Sequence, residues 1–219
     1  MTHKDRSDKT DFDGKAATWD EDPFKVNLAN EVADAMIKEL HPAPDMDVLD
    51  YGCGSGLVTL RLQPLVKSIT GMDSSKKMLE VLRAKVEKRG LSNVHTQFID
   101  LEQGAKVDAR FHIIVTSMTL HHVGEPAFLF DQLYSLLLPG GQIAIADLDK
   151  EDGSFHHDNA GVLHFGFERS YLKDMLGKAG FREMRDTTAA TITRTVPEKG
   201  PLDFTVFMIT GRKQEIPQE

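Results

Sequence analysis

The sequence is poor in cysteine and in long apolar stretches, and each shortage excludes a class of protein. Its 219 residues include one cysteine, Cys53, so an intramolecular disulfide and a zinc site built from several cysteines are both excluded. No apolar run approaches the roughly 20 residues that a membrane-spanning helix needs. The N-terminus also lacks the apolar core of a secretory signal. We therefore expect a cytoplasmic protein with no membrane partner.

Positive charge is also in short supply. Lysine and arginine total 26, against 34 for aspartate and glutamate, which gives a formal net charge of −8. Because affinity for nucleic acid depends on clustered cations that neutralise phosphates, we expect no nucleic-acid partner. Hydrophobic residues make up 40% of the chain and charged residues 27%, which is typical of a globular protein with a large apolar core.

The hydrophobic pattern predicts an α/β protein with one domain over residues 16–213, between a flexible N-terminal tail (1–15) and a C-terminal tail (214–219). Short apolar strands alternate with amphipathic helices, which is typical of a parallel sheet covered by helices on both faces. We expect strands at 48–51, 68–73, 94–99, 111–116 and 142–147, and helices at 23–40, 57–65, 76–89, 126–137 and from Ser170 to Gly180.

Two further β-rich runs, at 187–196 and 203–211, end the predicted domain. Only a loop separates them, so no helix can cross over between them. Strands joined in this way pair antiparallel, and we expect these two to do so.

A glycine-rich turn joins the first predicted strand of this alternation to the next helix. It contains, in order, Asp50, Tyr51, Gly52, Cys53, Gly54, Ser55 and Gly56. Glycines permit a tight turn and a close approach of the backbone to a ligand, and the helix that follows offers unpaired N–H groups. A carboxylate, Asp73, ends the next strand, where it can accept hydrogen bonds from the two hydroxyls of a ribose.

These features fit any nucleoside cofactor, NAD included, but the spacing of the glycines is more selective. The dinucleotide fingerprint is G-x-G-x-x-G, and here the third glycine comes one residue early. Asp50 stands two residues before the first glycine. A carboxylate there would lie badly beside a pyrophosphate and would suit an ammonium group, directly or through water.

The pattern Asp50-x-Gly52-x-Gly54-x-Gly56 resembles motif I of the class I S-adenosylmethionine (SAM)-dependent methyltransferases. The resemblance is to the small-molecule type, in the branch of methyltransferase domains 11 and 12, and covers roughly residues 15–211. Further segments follow in matching order, at residues 71–74, 100–101, 117–123, 138–141 and 164–181. The resemblance implies a three-layer, Rossmann-like fold whose seven strands have the order 3-2-1-4-5-7-6, mostly parallel with an antiparallel C-terminal hairpin.

The resemblance also implies which residues would hold SAM. The methionine end would lie over Gly52 to Gly54 with Asp50 near its amino group, and Asp73 would hold the ribose. The other residues that the resemblance places around the cofactor are Trp19, Tyr51, Cys53, Gly56, Ser74, Met78, Asp100, Leu101 and Thr119. For Met78 and Leu101 the alternative is a plain core residue, and for Asp73 it is an acid that interacts with the N-terminus of a helix.

Two histidines, His121 and His122, directly follow the fourth predicted strand, at the edge where open α/β sheets bind ligands. Each is a candidate catalytic base, and the alternative for each is a packing or orienting role. The other candidate bases are His156, His157, His164 and Glu168. The spacing of the histidines matches no metal motif such as H-E-x-x-H, so we expect no metal.

Two segments are candidates for covering the site. Residues 150–168 would form a lid over the substrate, with a plain surface loop as the alternative. The acidic N-terminal segment that carries Trp19 would fold across the cofactor as a flap, with a disordered linker as the alternative.

We therefore expect a SAM-dependent methyltransferase that transfers a methyl group to a small-molecule acceptor by in-line SN2 displacement and releases S-adenosylhomocysteine (SAH). Two alternatives remain open at this point. One is an NAD(P)-dependent oxidoreductase on a Rossmann sheet. The other is a protein that binds SAM without catalysis, since fold alone does not determine function.

Overall fold

Seven strands form one sheet within residues 11–101 and 107–215, which are the residues that the computed structural model describes. Their order is β3-β2-β1-β4-β5-β7-β6, as the resemblance implied. The strands are β1 (Asp47–Tyr51), β2 (Ser68–Asp73), β3 (Val94–Phe98), β4 (Phe111–Ser117), β5 (Leu137–Leu148), β6 (Arg182–Val196) and β7 (Gly200–Arg212). The first five strands run parallel, and β7 pairs antiparallel with both β5 and β6. The predicted antiparallel hairpin is thereby confirmed.

Helices cover both faces of this sheet. The α-helices are α1 (Phe12–Lys15), α2 (Pro23–Leu40), α3 (Leu57–Leu62), α4 (Lys76–Arg89), α5 (Pro126–Leu136) and α6 (Arg169–Lys178), and 3₁₀ turns lie at Ala16–Glu21, Gln63–Leu65 and Leu120–His122. Alternate residues of one strand contact different layers: Val48 packs with α2, α3 and α4, whereas its neighbour Leu49 packs with α5 and α6. This alternation follows from the two-residue period of a strand. It gives two apolar cores, one on each side of the sheet.

Local capping explains why the two longest helices begin and end where the sequence predicted. The Asp22 side chain accepts a hydrogen bond from the backbone N–H of Phe24, and Pro23 supplies the fixed φ of a first helical residue. Ser75 caps α4 by accepting from the backbone N–H of Met78, and Gly90 ends it in the left-handed conformation with φ 63°.

Several predicted boundaries differ from the structure. Helix α6 begins at Arg169, one residue before the predicted start at Ser170. Strand β5 starts at Leu137 and not at the predicted residue 142, because Leu137 pairs with Phe111 before the register shifts. Part of the predicted N-terminal tail is helical. Asp11 caps α1 by accepting a hydrogen bond from the backbone N–H of Gly14.

The ends of the chain and one internal segment lie outside the described residues. They are residues 1–10, 102–106 and 216–219, and they include most of both predicted tails. Within the described part of the chain, no helix combines the length and the apolar character that crossing a membrane requires.

Candidate active site

The glycine-rich loop, residues 50–56, connects β1 to α3 at the carboxyl edge of the sheet. Gly52, Gly54 and Gly56 have φ angles of 71°, 53° and 85°, a region that only glycine adopts at little cost. A Cβ atom on Gly52 would lie 2.3 Å from the Thr119 side chain, and one on Gly56 would lie 2.3 Å from Leu82. A Cβ atom on Gly54 would meet nothing within 4 Å. The loop is therefore packed on both sides and open to a ligand at Gly54.

Asp73, at the end of β2, holds this loop in place. One carboxylate oxygen accepts a hydrogen bond from the backbone N–H of Gly54 at 2.8 Å, and the other accepts from Ser75 at 2.7 Å. Burial raises the pKa of Asp73 above its ordinary value, and these backbone hydrogen bonds oppose that rise. Each carboxylate oxygen has a second lone-pair direction, so Asp73 retains capacity to accept hydrogen bonds from ribose hydroxyls.

Asp50, in β1, lies beneath the loop and is 1% exposed. It accepts a hydrogen bond from the Thr59 hydroxyl at 2.6 Å. Burial, with the nearby charge of Asp73, raises the pKa of Asp50 to about 7. A cation bound at the loop would stabilise the charged form of this carboxylate, but the contact between Asp50 and an amino group stays a prediction.

The other residues expected around the cofactor differ in exposure. Met78 and Leu101 are 2% and 1% exposed, as the core-residue alternative requires. Tyr51 and Cys53 are also buried, and burial raises the pKa of the Cys53 thiol, which keeps it protonated. Asp100, Thr119 and Trp19 are partly buried, and Ser74 is exposed. Their roles in binding stay predictions.

An N-terminal arm, residues 11–22, lies against the loop and the start of α4. Asp20 accepts a hydrogen bond from the Ser55 hydroxyl at 2.5 Å. Asp13 accepts from the Ser75 hydroxyl at 2.5 Å and from the backbone N–H of Lys77 at 3.2 Å. These contacts hold the arm against the glycine-rich loop and the start of α4.

Aromatic side chains extend the same arm toward the histidines. The Phe12 ring packs edge-on against His122 with centroids 5.0 Å apart, and it lies 6.0 Å from the Trp19 ring. The ammonium of Lys25 lies 4.0 Å from the centre of the Trp19 ring. Trp19 is thus part of a packed arm, as the flap prediction requires.

His121 lies in the 3₁₀ turn after β4 and forms a buried pair with Asp147 of β5. Its Nδ1 lies 2.7 Å from one carboxylate oxygen, and its backbone N–H donates to the other at 3.3 Å. Burial alone would raise the pKa of Asp147, but the charge and the hydrogen bond of His121 lower it below its usual value. Sequence reasoning missed Asp147, although an acid at the end of a central parallel strand is a recognisable signal.

His122 and His156 lie beside this pair. The His122 ring is 4.1 Å from the His121 ring, and the His156 ring is 5.1 Å from it. Burial and the neighbouring histidines lower the pKa of both His122 and His156 to about 4, so both rings are neutral at physiological pH. The other predicted candidates lie elsewhere: His157 and Glu168 are exposed, and His164 bonds the Val123 carbonyl.

The predicted lid, residues 150–168, contacts the histidine turn directly. The backbone N–H groups of Leu163 and His164 both donate to the carbonyl oxygen of His121, at 2.9 and 3.1 Å. His122 Nδ1 lies 2.8 Å from the Gly161 carbonyl. Among the residues described here, no three or more potential ligands are arranged to hold a metal ion.

Comparison with known proteins agrees with this geometry. A family profile described as "Methyltransferase domain" matches residues 48–141, which run from β1 to the start of β5. The matched segment includes the glycine-rich loop, Asp73 and both histidines of the turn. This segment of the chain is therefore similar to the methyltransferase domain family.

Two curated proteins are similar to part of this chain. The uncharacterized methyltransferase C1347.09 of Schizosaccharomyces pombe is 30% identical over 135 residues, which cover 55% of this chain and 48% of that protein. The O-methyltransferase cnsE of Penicillium expansum is 34% identical over 134 residues, covering 58% and 49%. The chain therefore spans about half the length of the curated relatives it matches.

A solved structure resembles the domain over a longer span. The YcgJ protein from Bacillus subtilis superimposes with a TM-score of 0.72 over 85% of this chain and 100% of its own, at 19% identity. This likeness supports the fold described above.

Proposed function

We propose that this protein transfers the methyl group of SAM to a small-molecule acceptor and releases SAH. One observation carries the proposal: the open glycine-rich loop with Asp73 lies at the same sheet edge as the buried His121–Asp147 pair. Gly52 and Thr119 join the two parts, since the Thr119 hydroxyl donates to the Gly52 carbonyl at 3.3 Å. This proximity supports a cofactor site next to a proton-accepting group.

The residues present fit SAM. Gly54 leaves space for the methionine portion, and Asp73 has free acceptor capacity for the ribose. Asp50 supplies a buried carboxyl group near the loop, and a bound ammonium group would stabilise its charged form. The sulfonium of SAM supplies an electrophilic methyl group, so the protein needs mainly to align the acceptor and exclude water. The N-terminal arm and residues 150–168 would exclude water from the site.

His121 is the residue that we propose as the base, with His122 as its neighbour in the acceptor site. A neutral acceptor must lose a proton as it attacks, and a positioned base contributes roughly 10²–10⁴-fold to such a step. Asp147 would stabilise the imidazolium that forms on His121. This pairing follows the logic of a base held in place by a buried carboxylate.

Isothermal titration with SAM and with SAH tests the cofactor part of the proposal. We expect binding to the wild-type protein, and we expect Asp73→Ala to weaken it by about 1–3 kcal/mol, because ribose hydroxyls lose their acceptor. Asp108→Ala is a matched control, since Asp108 is exposed. The absence of heat at millimolar SAM would remove the proposal. Transfer of radiolabel from SAM to a metabolite extract then separates a catalyst from a protein that only binds.

We also propose that the protein acts in the cytoplasm on a free small molecule and not on nucleic acid. The net charge of −8 and the single, buried cysteine support this proposal. Labelling of a nucleic-acid fraction in the same radiolabel experiment would contradict it.

A further inference from the structure

Three imidazole rings, those of His121, His122 and His156, form a cluster at the carboxyl edge of β4 and β5. The ring centroid of His121 lies 4.1 Å from that of His122 and 5.1 Å from that of His156, and the centroids of His122 and His156 are 6.3 Å apart. Phe12 packs edge-on against His122 at 5.0 Å, and Phe155 packs edge-on against His156 at 4.8 Å. Aromatic rings thus pack against the cluster, and its own polar atoms are the imidazole nitrogens.

The hydrogen bonds of two of these rings fix where their protons are. The low pKa of Asp147 keeps its carboxylate ionised, so His121 Nδ1 must carry the hydrogen that it shares with Asp147. A carbonyl oxygen can only accept, so His122 Nδ1 carries the hydrogen that it donates to Gly161. His122 is neutral because burial lowers its pKa to about 4. Its Nε2 therefore carries a lone pair, as does that of a neutral His121.

His156 differs from both, because its Nε2 is buried and has no hydrogen-bond partner. Burial, the neighbouring histidines and Arg194 all lower the pKa of His156, and Asp147 opposes them only weakly. An unsatisfied buried polar atom is costly, and such atoms in a ligand site indicate a group that the ligand supplies. The missing partner of His156 would lie close to the His121 ring.

We propose that the methyl acceptor is a hydroxyl compound and that His156 binds its hydroxyl group beside His121. The inference rests on the proposed function and specifies its acceptor. A hydroxyl group has one donor and two acceptor lone pairs. It can therefore donate to His121 Nε2 and, with His156 in the tautomer that carries its hydrogen on Nε2, accept from His156 at the same time. A thioether offers no donor, and a carboxylate would meet only lone pairs at His121 and His122.

The transfer then balances through His121. The hydroxyl proton moves to His121 Nε2 while the acceptor oxygen bonds the methyl carbon, and the electron pair of the broken C–S bond stays on sulfur as SAH. Asp147 compensates the charge of the resulting imidazolium, which afterwards returns its proton to solvent. His156 keeps its own proton and orients the acceptor oxygen, so it contacts substrate without acting as the base.

An amine is the competing acceptor class, and one side chain could favour it. Glu151 has a buried carboxylate oxygen without a hydrogen-bond partner, and its other oxygen accepts from the backbone N–H of Phe155 at 3.1 Å. A protonated amine could pair with this carboxylate. However, an ammonium would enter a cluster of neutral rings in which Asp147 is already occupied, and it would leave His156 Nε2–H unpaired.

Binding of simple probes to the SAH-saturated full-length protein separates these classes without requiring turnover. The probes are phenol, fluorobenzene as an isostere that lacks the donor, and benzylamine as a cation, each titrated calorimetrically. We expect phenol to bind at least about tenfold more tightly than fluorobenzene, the effect of one or two net hydrogen bonds. We expect benzylamine to bind more weakly than phenol.

Substitution of His156 assigns the effect to that ring. His156→Phe keeps the aromatic packing against Phe155 and removes the nitrogens, and we expect it to reduce the phenol preference to less than about twofold. His156→Gln keeps a hydrogen-bonding group and should retain part of the preference for phenol over fluorobenzene. It tests the same assignment where the phenylalanine variant is poorly folded. His157→Phe changes the adjacent exposed histidine and should leave the preference unchanged.

Each other outcome counts against the inference. A phenol preference that persists in His156→Phe would show that His156 does not bind the hydroxyl. Tighter binding of benzylamine would assign the acceptor to the amines, and the failure of every probe while SAH still binds would overturn the hydroxyl class. Failure of SAH itself to bind would instead contradict the proposed function.

Discussion

His121 and Asp147, which are 26 residues apart in the chain, form a hydrogen bond of 2.7 Å with both side chains almost completely buried. They meet because β4 and β5 are adjacent parallel strands whose carboxyl ends lie at one edge of the sheet. The buried Asp147 carboxylate also accepts hydrogen bonds from the backbone N–H groups of His121 and Leu148. It therefore holds the imidazole in one orientation and one tautomer.

Replacing Asp147 with asparagine should separate this orienting role from cofactor binding. The amide can present its NH₂ to His121 Nδ1 and so favour the wrong tautomer, which should lower turnover by about 10²-fold or more. Radiolabel transfer from SAM measures turnover, and calorimetry should give an unchanged SAM dissociation constant. Asp174→Asn, at an exposed position of α6, is the control. Unchanged turnover in Asp147→Asn would contradict the assignment of His121 as the base.

Asp50 should make stability fall as the pH rises. Its pKa is about 7 when folded, against an ordinary 3.8, so between these values the folded state binds more protons than the unfolded state. The free energy of unfolding therefore decreases from about pH 4 to pH 7 by a few kcal/mol from this group. Urea unfolding at several pH values should show a decrease in the wild-type protein that Asp50→Asn removes. A difference between the two proteins that does not change with pH would contradict the raised pKa.

Gly54→Val should abolish SAM binding without a matching loss of fold. The side chain would project into the open space above the loop, and the positive φ of 53° adds about 1–2 kcal/mol of strain. Gly90→Val is a close control, because Gly90 has φ 63° and nothing within 4 Å of an added Cβ, but it lies at the far end of α4. Both variants should lose similar stability in thermal melts, and only Gly54→Val should lose cofactor affinity. Equal affinity in the two would show that the loop does not contact the cofactor.

Asp20→Ala should loosen the N-terminal arm. Asp20 accepts from the Ser55 hydroxyl in the glycine-rich loop and forms an ion pair with Lys85 of α4. Its removal breaks these two contacts and leaves those of Asp13 at the start of α4. We expect SAM to dissociate several-fold faster, and stopped-flow emission of Trp19 in the same arm can follow this. Asp34→Ala removes an exposed ion pair with Arg61 and should leave the dissociation rate unchanged. If both variants release SAM at the wild-type rate, the arm is not a flap.

Much of the fold was predictable because its signals are local. Helices α2 and α4 each carry their own caps and apolar spacing, and both begin and end as predicted. The start of α6 was not predictable in this way. Ser170 has the right chemistry for an N-cap, but the helix starts at Arg169 and its N-cap residue is Glu168. The start of β5 at Leu137 depends on pairing with Phe111, a contact that no local pattern contains.

The sequence by itself determined the order of strands and helices, the glycine-rich loop and the carboxylate at the end of β2, because each is specified by residues close together in the chain. Only the tertiary structure decided which distant groups meet: Asp147 with His121, His156 with both histidines of the turn, and the N-terminal arm with the loop. The physical reason is that parallel strands bring their carboxyl ends to one edge, whereas hydrogen bonding and burial at that edge depend on the packing of the whole domain.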